Sequence, residues 1–183
     1  MATIITHAIT GAAFGQAAPA GIPKLRLFIC LACAAILPDA DVIMFSLGYP
    51  YGHPLGHRGF SHSIVFAGIL APILAFVAIP KRRFSIKIYI QTAFICFFAM
   101  LSHGILDAIT DAGLGVGFFI PWNEDRYFLP WRPVMTATLN PSAFFSNATL
   151  EVLKNEIRLI WLPLAGISLI FTLLMRFFRK RMK

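Results

Sequence analysis

The feature that most constrains this chain is a membrane-length apolar run that ends in polar groups. Residues 86–100 are predominantly apolar, and the run closes on LSHGILDAITD, residues 101–111. His103, Asp107 and Asp111 fall at i, i+4 and i+8. With about 3.6 residues per helical turn they share one stripe, drifting roughly 40° per step. A histidine and carboxylates are costly to bring into an apolar surrounding. In membrane helices such groups pair, bind an ion or line a wet cavity.

The composition shows that this run is one of several. The chain is 58% hydrophobic with eighteen Phe, and its mean hydropathy of +0.74 is well above that of soluble domains. Only eight acids occur, and Asp39, Asp41, Asp107 and Asp111 all sit at the ends of apolar segments. The net charge is +8, concentrated at Lys81, Arg82, Arg83 and Lys87 and again at Arg176, Arg179, Lys180, Arg181 and Lys183. Basic clusters at the ends of apolar segments read as cytoplasmic membrane anchors, and no nucleic-acid partner is expected. Cys30 and Cys33 form a lone CxxC inside an apolar run. With no second CxxC they read as packing residues.

The expected fold is all-α: a polytopic membrane helical bundle of about four full spans plus a short N-terminal spanning or re-entrant helix, in a single integral-membrane domain over 1–183. Residues 4–20 form the short helix, with His7 near its start and Pro19, Gly21 and Pro23 ending it. Spans are expected over 25–47, 61–79, 86–112 and 148–178. Pro38 kinks the first of these just before Asp39 and Asp41. Ser61 is the expected cap of the second, with His62 in its first turn. A Gly/Pro loop at 48–60 carries His53, His57 and Arg58. A longer aromatic connection over 113–147 suits the membrane interface, through Trp122, Tyr127, Phe128 and Trp131.

Placing the basic clusters inside orients every span consistently. Asp39 and Asp41 then lie at the outer end of one helix. His57 and His62 lie at the outer start of the next, and His103, Asp107 and Asp111 at the outer end of a third. At about 1.5 Å per residue His103 sits roughly 26 Å up its helix, near the edge of a ~30 Å core. An inward-running or re-entrant first segment brings His7 to the same layer. Imidazole and carboxylate together are ligands for zinc, or for manganese or iron. The expected metal ligands are His7, Asp39, His57, His62, His103 and Asp107. The Asp39/Asp41 pair can coordinate an ion and also orient a histidine, Arg58 can stabilise an oxyanion or a phosphate, and Asp111 can act as a ligand, an orienting partner or a substrate contact; Asp41, Arg58 and Asp111 are the expected catalytic residues. His53 is left out, because its loop offers no helix to hold it.

THAITG, LPDAD, GHRGFSHS and SHGILDAITD together resemble the YdjM/YbcI-like membrane-bound metal-dependent hydrolases of bacteria, and GVGFFIPWNEDRYFLPW is similar to the YbcI-type branch. The resemblance covers most of residues 1–135. It implies a distant relation to zinc-dependent phospholipases C and P1-type nucleases, whose helical His-x3-Asp is matched by His103 and Asp107. Their early His and Asp ligands have counterparts in His7 and in Asp39 or Asp41, and a further His in His57 or His62. No His-x3-Glu occurs, which points to one or two ions rather than three. The expectation is a hydrolase of the bacterial inner membrane. It acts at the outer face on a phosphoester of a lipid or lipid-linked substrate, with zinc (or manganese or iron) as cofactor and membrane lipids as partners. A metal-ion or proton-coupled transporter, and a non-catalytic membrane protein with a structural metal, are the alternatives.

Overall fold

The computed structural model describes residues 1–19, 21–138 and 146–181, the last three by backbone alone. Helix α1 (Ile4–Ala13) starts at Thr3, whose side chain accepts a hydrogen bond from the Thr6 amide, and runs on into a 3₁₀ turn over Phe14–Ala17. Helix α2 (Lys24–Ile36) follows Pro23. Pro38 has no amide proton to continue the α ladder. The chain tightens there into a 3₁₀ segment, Leu37–Val42, before α3 (Ile43–Ser46). That tightening buries both Asp39 and Asp41.

A turn-rich loop leads to a short 3₁₀ turn at Phe60–His62 and then to α4 (Ile64–Ala78). Ser63, not Ser61, caps α4, by accepting from the Phe66 amide. The expected span over 61–79 is therefore reduced to 15 residues, about 22 Å at the helical rise and short of a ~30 Å apolar core. Its first turn has been drawn off to position His62. Among the described residues three helical stretches are long and apolar enough to cross a membrane: Lys24–Ser46, Ile86–Ala108 and Asn147–Phe178. Of the four expected full spans the structure thus supports three, with α4 a shorter apolar helix.

Helix α5 (Ile86–Ala108) is the central element, with 23 residues and a length of about 34 Å. It packs against α4 through a small-residue stripe, Ala67, Ala71, Ala75 and Ala78. Such stripes let membrane helices approach closely. Leu27 and Leu31 of α2 join Ala71, Ala75, Cys96 and Ala99 in one buried core. Helix α1 lies on α2 and α5. Gly11 permits this, because a Cβ there would stand 2.4 Å from the Ala35 Cβ and 2.5 Å from the Leu31 carbonyl oxygen. Cys30, Cys33 and Cys96 are free thiols.

Beyond α5 the connection is irregular, with isolated bridges between Thr110 and Val134 and between Val116 and Tyr127. Residues 139–145 of the expected interfacial loop lie outside the described residues. Trp122 and Trp131 are well exposed. Helix α6 (Asn147–Glu156) passes through a π-turn at Ile157–Trp161 into α7 (Leu162–Arg181). Just before Pro163 the helix thus changes pitch without breaking.

Candidate metal centre

Five buried polar residues from four elements meet where α1, α2, α4 and α5 end on the same side. His7, His62, His103, Asp39 and Asp107 are each at most 7% exposed. Asp39, His62, His103 and Asp107 each offer a ligand atom, all within 4.8 Å of one another. The Nε2 atoms of His62 and His103 are 3.0 Å apart. Asp39 Oδ1 lies 3.3 Å from His103 Nε2 and 3.6 Å from His62 Nε2. Asp107 Oδ2 lies 3.7 Å from His62 Nε2.

The second ring nitrogens explain this aim. His103 Nδ1 is 2.6 Å from the Ala35 carbonyl oxygen. That carbonyl can only accept, so Nδ1 carries the proton and Nε2 presents its lone pair to the cluster. His7 stacks on His103, with ring centroids 3.7 Å apart, and its Nε2 is 3.4 Å from Asp107 Oδ1. Burial, aided by the neighbouring His103, lowers His7 to about 4, so the ring is neutral at ordinary pH. For His62 burial acts to lower the pKa, but the adjoining carboxylates of Asp39 and Asp41 outweigh it and raise the value to about 9.

A second group shares His62. Asp41, His57 and His62 also offer ligand atoms within 4.8 Å of one another. Asp41 Oδ1 holds His57 Nδ1 at 2.7 Å. Its other oxygen accepts from Ser61 Oγ at 2.5 Å and from the Arg58 amide at 3.2 Å. In this geometry Asp41 orients the His57 ring.

Arg58 is fully buried and adopts φ 61, a left-handed conformation that costs a non-glycine residue roughly 1 kcal/mol. The reversal sends its side chain beneath the cluster. Nε donates to Asp107 Oδ2 at 3.0 Å, and the terminal nitrogens donate to Thr110 Oγ1 at 2.9 Å and the Ala112 carbonyl at 3.1 Å. Gly113 makes room, since a Cβ there would lie 2.6 Å from the guanidinium. In this arrangement Arg58 balances and orients Asp107.

Asp111 stands apart from the site. Helix α5 ends at Ala108, and Thr110 folds its hydroxyl back onto the Asp107 carbonyl. Asp111 leaves the stripe, is exposed, and accepts from the amide and hydroxyl of Thr136 at 2.9 and 2.7 Å. It fastens the loop beyond α5. His53 is also outside, as expected, with Nδ1 accepting from the Leu55 amide. Arg126 donates to the carbonyls of Tyr51, His53 and His57 and holds the histidine loop in place.

Glu156 was not singled out by the sequence, yet it is fully buried. Its carboxylate accepts from the Thr3 amide, the Thr3 hydroxyl and the Thr6 hydroxyl at 2.5, 2.5 and 2.7 Å. Trp161 Nε1 also donates to Thr6 Oγ1 at 2.7 Å. This lock fixes the start of α1, and with it His7 and the Ala2 amide that donates to Asp107 Oδ1 at 3.0 Å. The sequence did hold a signal: Val152, Glu156 and Ile160 recur at i, i+4 and i+8, so Glu156 occupies a core position.

The comparisons with known proteins agree with this membrane architecture. The family model for the YdjM inner membrane protein matches residues 1–182. The chain belongs to the YdjM inner membrane protein family. It is also 35% identical to the inner membrane protein YbcI of Escherichia coli (strain K12) over 163 residues, covering 89% of this chain and 92% of that protein. No solved structure matches. Membership of the YdjM family and the long apolar helices support a bacterial inner-membrane location. The buried His/Asp groups of this YdjM-family chain could hold a metal ion.

Proposed function

We propose that this protein is a metal-dependent hydrolase of the inner membrane that cleaves a phosphoester of a lipid or lipid-linked substrate. The observation that carries the reading is the orphaned polarity of the cluster. Both oxygens of Asp39, both ring nitrogens of His7 and Nε2 of His57 are buried without a hydrogen-bond partner. Buried polar atoms normally find partners, and a divalent cation is a partner these donors share. The donor set fits zinc, manganese or iron, with Asp39, His62, His103 and Asp107 as holders and His7 beside them.

A bound divalent ion supplies Lewis acidity toward a phosphoryl oxygen and toward water. The chain's own part follows from its hydrogen bonds. Asp41 fixes the Nδ1–H tautomer of His57, so the free Nε2 can take a proton from water and return it to the leaving oxygen. The new bond joins the water oxygen to phosphorus. The ester P–O bond breaks, and the proton passes from water through His57 to the departing alkoxide. Arg58 Nε donates to Asp107 Oδ2 and keeps that carboxylate aimed. The apolar core between the cluster and the basic end, formed by Leu27, Leu31, Ala71, Ala75, Cys96 and Ala99, offers no polar trail and weighs against a transporter.

The near-complete burial of the cluster favours a second reading, a structural metal, since structural sites are closed and catalytic ones keep an open position. Metal analysis of detergent-purified protein, together with a hydrolysis screen over phospholipids and phosphodiesters, tests both. The expected result is about one or two ions per chain and turnover on one substrate class, with both lost in His103→Ala and Asp107→Ala and retained in Lys154→Ala. Stoichiometric metal with no turnover on any class would leave the structural reading. Absence of metal would sink both.

A further inference from the structure

Away from the cluster, α7 stands off from the rest of the bundle. Only 6% of its apolar window is buried, and a cleft separates it from α1. The cleft has two adjoining parts of opposite character. One part, about 330 Å³, runs between Thr10, Ala13 and Phe14 on one side and Leu164, Ile167 and Phe171 on the other, and its walls are almost entirely apolar. The other part, about 530 Å³, shares Gln16 and Phe171 with it and is lined by Lys24 and Arg176. The cleft is therefore basic at one end and apolar along the rest.

Among the described residues these cations have no carboxylate partner. Residues 1–38, 42–106 and 157–183 contain no Asp or Glu, and no ion pair among the described residues involves Lys24 or Arg176. They come from different helices and line one cleft, so an anion seated there meets positive charge from both sides. Basic pockets between membrane helices are suited to anionic headgroups. The apolar cleft leading inward is the complement of an acyl chain.

We propose that the α1–α7 cleft is a binding site for one anionic phospholipid, with its phosphate between Lys24 and Arg176 and an acyl chain between α1 and α7. The lipid fills the gap between α7 and the helix that carries His7, which the Thr172 hydroxyl already bridges by donating to Gln16 Oε1 at 3.3 Å. The site is independent of the metal chemistry, and its test does not require hydrolase activity.

Native mass spectrometry after exchange through vesicles of equimolar phosphatidylglycerol and phosphatidylcholine decides the matter. The expected result is one retained lipid per chain, phosphatidylglycerol in preference to phosphatidylcholine. Substituting both Lys24→Gln and Arg176→Gln lowers phosphatidylglycerol retention roughly tenfold. The pair Lys81→Gln and Lys87→Gln removes the same charge from the same end but leaves the cleft intact, and is expected to retain the lipid. Ala13→Phe, which fills the apolar part, is expected to expel it. Equal retention of the two lipids, or equal loss in both double variants, overturns the proposal in favour of general surface charge. A lipid-free dimer that Ala13→Phe dissociates overturns it in favour of a second copy of the chain. If Ala13→Phe does not fold, the two double variants still decide.

Discussion

At the scale of single residues, the site depends as much on groups that never touch it as on the cluster itself. Glu156 is the clearest case, because three donors of α1 converge on its carboxylate. Glu156→Ala leaves the Thr3 amide buried without an acceptor and frees the start of α1. The expected loss is about 3 kcal/mol of stability, the upper end for an unsatisfied buried group, read as a lower unfolding temperature in detergent and a fall in bound metal. Glu156→Gln keeps one acceptor oxygen and is expected to restore most of both. His62 makes a pH prediction for the metal-free protein. Its pKa is about 9 in the folded chain, against roughly 6.5 when unfolded. The folded state therefore binds the proton more tightly. The stabilisation is fully present below about pH 6.5 and is lost as pH rises through about 9. Metal-free protein is expected to unfold at a lower temperature at pH 10 than at pH 6, and His62→Gln to flatten that difference. A profile unchanged by the substitution would remove His62 as its source.

At the scale of elements, the sequence was most readable where a single period spans the whole segment. Helices α2 and α5 were found because long apolar runs have few other structures open to them. Their polar ends were found because charge is expensive there. Local cap chemistry was less readable. SHS at 61–63 offers two serines as caps, and choosing Ser63 shortened α4 and put His62 in a 3₁₀ turn. LDAITD reads as continuous helix, yet Thr110 bonding back to Asp107 ends α5 and releases Asp111 to the loop. The close approach of α1 to α2 had an unread signal in Gly11 and Gly15, a small-xxx-small pair. Gly11 also bears on the centre, because Ala35, which it touches, supplies the carbonyl that holds His103. Gly11→Ala must push the helices apart, and overpacking of this kind costs about 1–3 kcal/mol. Reduced stability and weaker metal retention are expected together. Gly68→Ala is the matched comparison on α4, where an added Cβ meets nothing within 4 Å, and it is expected to leave both unchanged.

At the scale of the whole molecule, the chain is polarised from end to end. The His/Asp cluster gathers at one end of α5, together with the aromatic loop that exposes Trp122 and Trp131. Lys24, Arg26, Lys81, Arg82 and Arg83 gather at the other. This polarity was legible in the sequence, because the positions of basic residues at segment ends orient the spans even when the helices differ in length. The shortening of α4 does not disturb it, since α4 still joins a histidine turn to a basic turn. The positive-inside rule predicts that the cluster lies on the periplasmic side, where a substrate in the outer leaflet would reach it. Cysteine labelling in intact spheroplasts tests that orientation on a background lacking Cys30, Cys33 and Cys96. Glu124→Cys, in the exposed loop beside the cluster, is expected to react with a membrane-impermeant maleimide from outside. Arg82→Cys, in the exposed basic turn, is expected to react only after permeabilisation. The opposite pattern would put the cluster at the cytoplasmic face, and a substrate drawn from the inner leaflet would then have to replace the one proposed.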